Sequence, residues 1–356
     1  MPARHQSVFG AAATGARRER MMASAQFKEG SFKNTSPLKG PGLKGNPLPL
    51  MGEYFFNKTA VTPPGALPVH DPRAQWSTRS NSGLRVTWLG HSTVLLEIDG
   101  FRVLTDPVWG QRASPLGFAG PKRFHEVPVR IADLPKLDAV LVSHDHYDHL
   151  CFQTIRELAA LQVPFVTSLG VGAHLESWGV DAKNITELDW WQSHEFHGGT
   201  FKFTAAPAQH FSGRSVGDRN HTLWSSWVMQ SDQHRVFFSG DTGLTEEFKL
   251  IGERLGPFDL AMFEVGAFHE AWSDIHLGPE NALKAHALLG SGLFFPVHWG
   301  TFNLALHAWD QPAELLLSLA EQQKTRIVTP ELGSPFEPKH VEGPTPWWRA
   351  VAKAPL

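Results

Sequence analysis

The sequence is poor in cysteine and lacks a long apolar run. Cys151 is the only cysteine among 356 residues, so no disulfide can form within the chain, and this fits a reducing compartment. No stretch approaches the roughly 18–20 apolar residues that a membrane-spanning helix needs. The first 24 residues also lack the apolar segment of a secretory signal. We therefore expect a cytoplasmic protein without a transmembrane segment.

The chain also lacks an excess of positive charge. Its 32 Lys and Arg residues stand against 35 Asp and Glu residues, for a formal net charge of −3. A general nucleic-acid-binding surface needs clustered basic residues in excess, so we expect no nucleic-acid partner. The hydrophobic fraction of 42% is typical of a globular protein, and the length is sufficient to bury a large core.

Composition divides the chain into four segments. Residues 1–24 are basic and rich in Ala and Gly, which predicts a disordered tail. Residues 25–80 are rich in Pro and Gly, which predicts an extended arm packed on the domain. Residues 81–340 mix strand and helix patterns and predict one α/β (α+β) domain. Residues 341–356 are predicted to form a C-terminal tail.

The apolar runs of the domain predict ten strands and four helices. The predicted strands cover residues 86–89, 94–98, 101–104, 139–143, 164–167, 200–205, 224–230, 235–239, 260–264 and 293–297. The predicted helices cover residues 152–161, 246–255, 280–289 and 313–322. Residues 107–137 form a long Pro-containing loop, and loops of that length in a domain are more often functional than idle.

A cluster of metal-binding residue types follows the apolar run of residues 139–143. Residues 144–149 read His-Asp-His-Tyr-Asp-His, and five of these six side chains can bind a metal. Ligands of α/β folds lie at the carboxyl ends of strands. His144 and His146 can turn towards one ion. Asp148 and His149 follow too closely to complete that set, which indicates a second ion; a solvated His/Asp-rich turn is the alternative.

Three more polar residues stand where apolar runs end. His210 follows the run of residues 201–206, Asp241 follows residues 236–239, and His298 follows residues 294–297. Singly, Asp241 could cap a turn, and a lone histidine is more often a hydrogen-bonded core residue than a ligand. Following the motif at residues 144–149, the three together indicate one shared metal-binding crevice.

This pattern resembles the metallo-β-lactamase superfamily, whose signature is a His-x-His-x-Asp-His loop followed by His, Asp and His. The resemblance implies a four-layer αββα sandwich with a dinuclear site at one edge, usually filled by two Zn²⁺ ions, with Mn²⁺ or Fe²⁺ as alternatives. It would assign His144, His146 and His210 to the first ion, Asp148, His149 and His298 to the second, and Asp241 to a bridging position. Asp106 matches the superfamily's upstream aspartate and would brace the metal-binding loop, with a simple turn cap as the alternative.

Shorter segments resemble the N-acyl-phosphatidylethanolamine-hydrolysing phospholipase D family. They are the stretches Thr-Trp-Leu-Gly-His-Ser-Thr at 87–93, Leu-Thr-Asp-Pro-Val at 104–108, Arg-Ala-Ser-Pro at 112–115, Gly-Pro-Lys-Arg-Phe at 120–124, His-Trp-Gly-Thr-Phe at 298–302, and Phe-Lys-Asn at 32–34 in the arm. The resemblance runs from about residue 30 to residue 325. It implies a phosphodiesterase that acts on a lipid phosphodiester.

We assign catalytic roles to Asp148, Asp241 and His276. Two ions would lower the pKa of a bridging water, and Asp241 would orient the resulting hydroxide. His276 stands before a predicted helix start, where backbone N–H groups favour an anion, and would act as an accessory acid or phosphate contact. The phospholipase D family has a similar His-x-x-Pro-Glu element. A helix-capping or packing role is the alternative for His276.

Four further side chains are candidate substrate contacts: His91, Lys122, Arg123 and Arg214. A structural hydrogen bond is the alternative for His91, and a solvated loop position is the alternative for the three cations. Six other histidines have no spacing argument and are expected at the surface or in the core: His125, His194, His197, His221, His269 and His307.

The leading hypothesis is a dinuclear-zinc phosphodiesterase of phospholipase D type, with a small-molecule or lipid phosphodiester substrate attacked by a metal-bridging hydroxide. A second hypothesis is hydrolysis of a lactone or β-lactam at the same site. A third is a non-catalytic metal- or lipid-binding protein, which the complete ligand set disfavours. Peripheral membrane contact is compatible with the first hypothesis. The sequence does not indicate an oligomeric state.

Overall fold

The computed structural model describes residues 7–38, 59–290 and 292–352. In that part of the chain the strands are β1 (Phe27–Lys28), β2 (Ser31–Phe32), β3 (Leu84–Gly90), β4 (Thr93–Ile98), β5 (Phe101–Thr105), β6 (Ala139–Val142), β7 (Phe165–Ser168), β8 (Ile185–Leu188), β9 (Ser193–Phe196), β10 (Phe201–Ala206), β11 (Ser226–Ser231), β12 (Arg235–Phe238), β13 (Leu260–Glu264) and β14 (Leu293–Val297). The α-helices are α1 (Gly15–Ala23), α2 (Arg73–Trp76), α3 (Phe152–Ala160), α4 (Gly172–Ser177), α5 (Glu247–Leu255), α6 (Gly278–Leu289), α7 (Gln311–Gln323) and α8 (Trp348–Ala352).

Two six-stranded sheets form the centre of the fold. The first has the order β3-β4-β5-β6-β7-β8, with antiparallel pairing from β3 to β5 and parallel pairing from β5 to β8. The second has the order β14-β13-β12-β11-β10-β9, with β9 to β12 antiparallel and β12 to β14 parallel. Parallel neighbours need crossover connections. In the first sheet the loop of residues 106–138 and helices α3 and α4 supply the three crossovers, and in the second sheet α5 and α6 supply the two.

Alternating side chains place the sheets face to face with helices outside. In β4, Val94 and Leu96 enter the same buried cluster as Phe203 of the second sheet. Leu95, between them, points the other way and packs in a second cluster with Ile155 of α3. Helix α6 packs on β13 and lies beside α5 and α7. The predicted α/β class and αββα sandwich are therefore confirmed. Within the described residues, none of the helices is both long and apolar enough to cross a bilayer.

Within the predicted domain of residues 81–340, most predicted strands and helices are present with shifted ends, but β8, β9 and α4 were not predicted. Strand β9 lies at a sheet edge, and its residues are exposed or half-buried, so it carries no apolar run. Helix α4 has six residues, too few to show a helical period. The strand predicted over residues 224–230 begins at Ser226, because the backbone N–H of Ser225 donates to the carbonyl of Ser143 at the end of β6 instead of to the neighbouring strand.

The amino-terminal segment differs from the predicted disordered tail over residues 1–24. Residues 15–23 form α1, and the side chains of Arg17 and Arg20 donate to Oε2 of Glu187 at 2.7 and 2.6 Å. Glu187 is buried on β8, and a buried carboxylate is costly unless it is paired. This ion pair holds α1 against the edge of the first sheet. Residues 1–6 lie outside the described residues.

The predicted arm and C-terminal tail contact the rest of the chain wherever they are described. In the arm, β1 and β2 form a hairpin, and the Phe32 side chain is completely buried. In the C-terminal segment, Trp348 is completely buried, and the Trp347 ring stacks on Trp299 with centroids 5.5 Å apart. Residues 39–58 of the arm and 353–356 of the tail lie outside the described residues, so the predictions for them stay predictions.

The polar residues singled out in the sequence collect at one edge of the sandwich. Asp106 follows β5, residues 144–149 follow β6, Asp241 follows β12, and His298 follows β14. Parallel strands have their carboxyl ends on the same side of a sheet, which is where α/β folds place ligands. The topology thus brings together side chains that are far apart in the sequence.

Candidate metal centre

Four side chains converge beyond the end of β6. One ligand atom from each of His144, His146, His210 and Asp241 lies within 4.8 Å of the others. Nδ1 of His146 is 2.9 Å from Nε2 of His144 and 3.2 Å from Nε2 of His210. Burial holds the pKa of His144 and of His210 well below the usual range. Both imidazoles are therefore neutral, the form that binds a metal.

A second group of ligand atoms lies next to the first. One atom from each of His91, Asp148, His149 and His298 lies within 4.8 Å of the others. Oδ2 of Asp148 is 3.0 Å from Nε2 of His91, 3.3 Å from Nε2 of His298 and 3.5 Å from Nε2 of His149. His91 was predicted at the mouth of the site, but it is only 1% exposed and belongs to the interior of this group.

The carboxylate of Asp241 lies between the two groups. Its Oδ2 atom is 3.1 Å from Nε2 of His149 and 3.2 Å from Nε2 of His298, both in the second group. The same oxygen is 3.8 Å from Nε2 of His144 and from Nε2 of His210 in the first group. This is the position that a bridging carboxylate requires.

The donor set fits divalent cations. Within the described residues, Oδ1 of Asp241 and Nε2 of His149 and of His298 are buried and make no directed hydrogen bond, and such atoms require an explanation. Burial alone would lower the pKa of His298, but the carboxylates of Asp241 and Asp148 raise it to about 10. The carboxylates therefore favour positive charge at this position, and a bound metal ion would supply that charge in place of protons. Imidazole and carboxylate donors in this number suit zinc or similar ions.

Asp106 orients the metal-binding loop, as predicted. Its Oδ1 accepts the backbone N–H of Ser143, and its Oδ2 accepts the Ser143 hydroxyl, each at 2.7 Å. The same Oδ2 is 2.7 Å from Nδ1 of His149, which leaves Nε2 of that ring for a metal. Asp145 turns away from the ligands, because its carboxylate accepts from Gly213 N at 2.8 Å and from the Thr222 hydroxyl at 2.9 Å.

Comparison with known proteins identifies the family. Residues 101–299 match the β-lactamase superfamily domain. The chain belongs to the metallo-β-lactamase superfamily. It is 40% identical over 286 residues to the N-acyl-phosphatidylethanolamine-hydrolyzing phospholipase D 1 of Caenorhabditis elegans, across 76% of this chain and 80% of the relative. This membership makes the protein a metal-dependent hydrolase.

One further sequence relative and one solved structure are also similar to this chain. An uncharacterized protein of Mycobacterium tuberculosis is 45% identical over 331 residues, which cover 92% of this chain and 88% of the relative. Among solved structures, an isothiocyanate hydrolase from Delia radicum gut bacteria superposes with a TM-score of 0.55 at 22% identity. The match covers 71% of this chain and 98% of that chain. This structural likeness supports the fold alone.

Glu264 is a residue of this superfamily member that the sequence analysis missed. It ends β13, is completely buried, and shares a third group of possible ligands with Asp241, His276 and His298. Its Oε2 is 2.6 Å from Nδ1 of His276, and its Oε1 accepts the backbone N–H of Thr242 at 2.7 Å. The available signal was its position at the end of an apolar run, the same signal that singled out Asp241 and His298.

The three candidate cations occupy different environments. Arg214 is buried, and its guanidinium donates to the carbonyls of Asp145, Leu150 and Val8, so the alternative of a solvated loop position is wrong. Arg123 is also buried and donates to the carbonyls of Val108 and Gly110. Lys122 is exposed. Of the three cations, Lys122 is the one that is free to reach a ligand from solvent.

A cleft of about 910 Å³ lies between residues 120–124 and residues 303–306. Lys122, Phe124, Trp272, Leu304 and Leu306 contribute to its walls. Backbone pairing between residues 123 and 302 joins the two sides of this region, and the Phe302 ring lies 5.3 Å from the His91 ring. The cleft therefore combines apolar walls with one exposed cation, and Arg123 in its lining connects it to Phe302 beside His91.

Proposed function

We propose that this protein is a dinuclear-zinc phosphodiesterase of phospholipase D type, acting on N-acyl-phosphatidylethanolamine-like or related phosphodiesters. The observation that carries the proposal is the position of Asp241 between two groups of buried or half-buried candidate ligands. The activity named for the C. elegans relative supports a phosphodiester substrate.

The ligand histidines and aspartates divide between two ions. His144, His146 and His210 would hold one ion, and Asp148, His149 and His298 would hold the other, with Asp241 between them. Divalent ions bound in this way activate water and neutralise charge on a phosphate. Zinc is the proposed metal, and Mn²⁺ or Fe²⁺ are the alternatives that metal analysis distinguishes.

The protein's own acids and bases take complementary roles. Burial alone would raise the pKa of Asp241, but the nearby His149 and His298 hold it well below the usual range. Asp148 is shifted in the same direction by His149. Both carboxylates therefore stay ionised and can accept a hydrogen bond from an attacking water and orient it.

His276 acts as the proton donor when the phosphodiester bond is cleaved. Burial alone would lower its pKa, but the carboxylate of Glu264 raises it. The His276 ring lies between those of His210 and His298, with centroids 5.1 and 5.4 Å away. In our proposal the protonated ring donates either to the leaving alkoxide or to a phosphate oxygen.

In our proposal the cleft lined by residues 120–124 and 303–306 provides the substrate contacts. Its apolar residues suit an acyl chain, and Lys122 suits the phosphate of a lipid phosphodiester. Because the guanidinium nitrogens of Arg123 and Arg214 donate to backbone carbonyls, we assign these two residues to the support of the surrounding loops.

The loop next to the cleft suits peripheral membrane contact. Residues 112 and 122 pair across its base, and Leu116 and Phe118 at its tip are 46% and 81% exposed. Residues 112–125 contain no Asp or Glu, and Arg112 and Lys122 carry positive charge at the base of the loop. An apolar tip flanked by cations fits the surface of an anionic bilayer.

Metal analysis combined with three substrates tests the proposed function. We expect zinc at about two ions per chain and faster turnover of bis(p-nitrophenyl) phosphate and of an N-acyl-phosphatidylethanolamine than of a lactone. A chelator should abolish both phosphodiester activities. Lactone turnover far above both phosphodiesters would instead favour the lactonase alternative.

A further inference from the structure

The side-chain amide of Asn34 pairs with the backbone of a metal ligand. Its Nδ2 donates to the carbonyl of His210 at 2.9 Å, and its Oδ1 accepts the backbone N–H of His210 at 3.0 Å. His210 lies beyond Ala206, the last residue of β10 that pairs with β11. Both backbone groups of His210 are thus satisfied by one side chain from the arm, 176 residues earlier in the chain.

Asn34 is itself held in a defined orientation. The Trp224 indole donates to Oδ1 of Asn34 at 3.1 Å and to the carbonyl of Ala208 at 3.0 Å. Two residues earlier, the completely buried Phe32 donates its backbone N–H to the carbonyl of Asn220 at 2.8 Å. These contacts fix which end of the amide faces which group of His210.

The ring of His210 is oriented by a second contact. Its Nδ1 donates to the carbonyl of Ile275 at 2.9 Å, which leaves Nε2 towards the first group of ligands, 3.2 Å from Nδ1 of His146. Asn34 holds the backbone and Ile275 holds the ring, so the position of Nε2 depends on both. Contacts that orient a ligand typically change metal affinity when they are lost.

Val8, in the segment that precedes the arm, contacts a support of the loop of residues 144–149. The carbonyl of Val8 accepts from Nη2 of Arg214 at 3.0 Å, and Nη1 of the same guanidinium donates to the carbonyl of Asp145 at 2.6 Å. Asp145 stands between the ligands His144 and His146. Asn34 therefore contacts one histidine of the first group directly, and Val8 contacts the arginine that holds the loop carrying the other two.

We propose that Asn34 is a positioning residue of the metal centre and that residues 7–34 form part of the support for the first ion. The proposal rests on the dinuclear centre of the proposed function. It gives the amino-terminal arm a specific role, since without Asn34 the backbone N–H and carbonyl of His210 would lose the hydrogen-bond partner that the arm provides.

Zinc titration of the full-length variant Asn34→Ala tests the proposal. The protein is stripped with a chelator and titrated with Zn²⁺ against a chromophoric competitor. We expect the dissociation constant of one ion to rise about 10–100-fold, as for other lost ligand-orienting contacts, while the other ion binds as in the wild type. Added zinc should restore turnover. The control Asn184→Ala removes an amide that contacts the carbonyl of Gln162 and should leave both constants unchanged.

Two outcomes would overturn the proposal. One is wild-type affinity for both ions in Asn34→Ala. The other is an equal loss at both ions together with a lower unfolding midpoint of the metal-free protein, which would indicate a general folding role. The titration does not depend on the substrate, so a wild-type protein that binds two zinc ions but cleaves no phosphodiester contradicts the proposed function alone.

Discussion

Replacing Arg214 with lysine distinguishes a loop support from a substrate contact. The guanidinium makes three hydrogen bonds to backbone carbonyls, with Asp145 at 2.6 Å, Leu150 at 3.0 Å and Val8 at 3.0 Å. It also lies over the rings of Tyr147 and Trp178, 4.0 and 4.9 Å from their centroids. A lysine keeps the charge but loses the planar fork that reaches several acceptors at once.

The expected loss of stability follows from these contacts. If lysine keeps one of the three hydrogen bonds, two charge-assisted bonds are lost at about 1.5 kcal/mol each. Weaker stacking on the two rings adds about 0.5–1 kcal/mol. The free energy of unfolding should therefore fall by about 4 kcal/mol, a large part of the roughly 5–15 kcal/mol typical of a folded protein.

Urea unfolding and steady-state kinetics of Arg214→Lys provide the assay. We expect a lower unfolding midpoint for the variant. At saturating zinc, its KM for bis(p-nitrophenyl) phosphate should stay within about twofold of the wild-type KM, a difference of about 0.4 kcal/mol or less in binding free energy. The matched control is Arg219→Lys, an exposed arginine over the Phe211 ring, which should change stability by less than about 0.5 kcal/mol. Unchanged stability with a KM raised tenfold or more would refute the support role and restore Arg214 as a substrate contact.

Three other changes test separate parts of the interpretation. Asp241→Ala should lose zinc and activity while circular dichroism shows an intact fold, because this carboxylate lies within 3.8 Å of four candidate ligand histidines. Full activity would contradict the proposed bridging role. Burial lowers the pKa of His286 to about 4, so the unfolded chain binds that proton more tightly and stability falls as the pH falls below about 6.5. Between about pH 7.5 and pH 5, this histidine should cost the wild type about 2 kcal/mol of stability, and His286→Leu should lack that part of the loss. Urea unfolding at each pH measures the two proteins, and equal losses in both would refute this account. Serine at both Leu116 and Phe118 should reduce binding to anionic vesicles without changing turnover of bis(p-nitrophenyl) phosphate; wild-type vesicle binding would remove the tip from the membrane contact.

The fold was predictable because both sheets are covered on both faces. Strands in that position are apolar along their whole length, and β4, β6, β13 and β14 were found from their apolar runs alone. Strand β9 escaped prediction because it lies at an edge, where polar residues such as Ser193 and Glu195 are exposed. Helix α1 was not predicted because it is held by ion pairs with Glu187, a residue more than 160 positions away in the sequence.

The candidate ligands were predictable for a chemical reason. Few residue types bind a transition metal, and each of His144, Asp241 and His298 follows an apolar strand closely enough for the break to be visible. Glu264 has the same position, but a glutamate at a strand end is common, and its pairing with His276 depends on the loop that follows β13. Only the folded chain shows that the two side chains meet.

The residues that hold the candidate ligands in place cannot be recognised in this way, because many different residue types can form the required hydrogen bonds. Nδ1 of His210 is oriented by the carbonyl of Ile275, a group that nearly every residue could provide. The backbone of His210 is held by Asn34, an ordinary amide in a segment rich in Pro and Gly. A ligand is thus recognisable from its own residue type, whereas a support is recognisable only from its distance to the ligand. The supports of the candidate ligands are therefore the parts of this site that sequence alone cannot name, and in our proposal they include Asn34 of the amino-terminal arm.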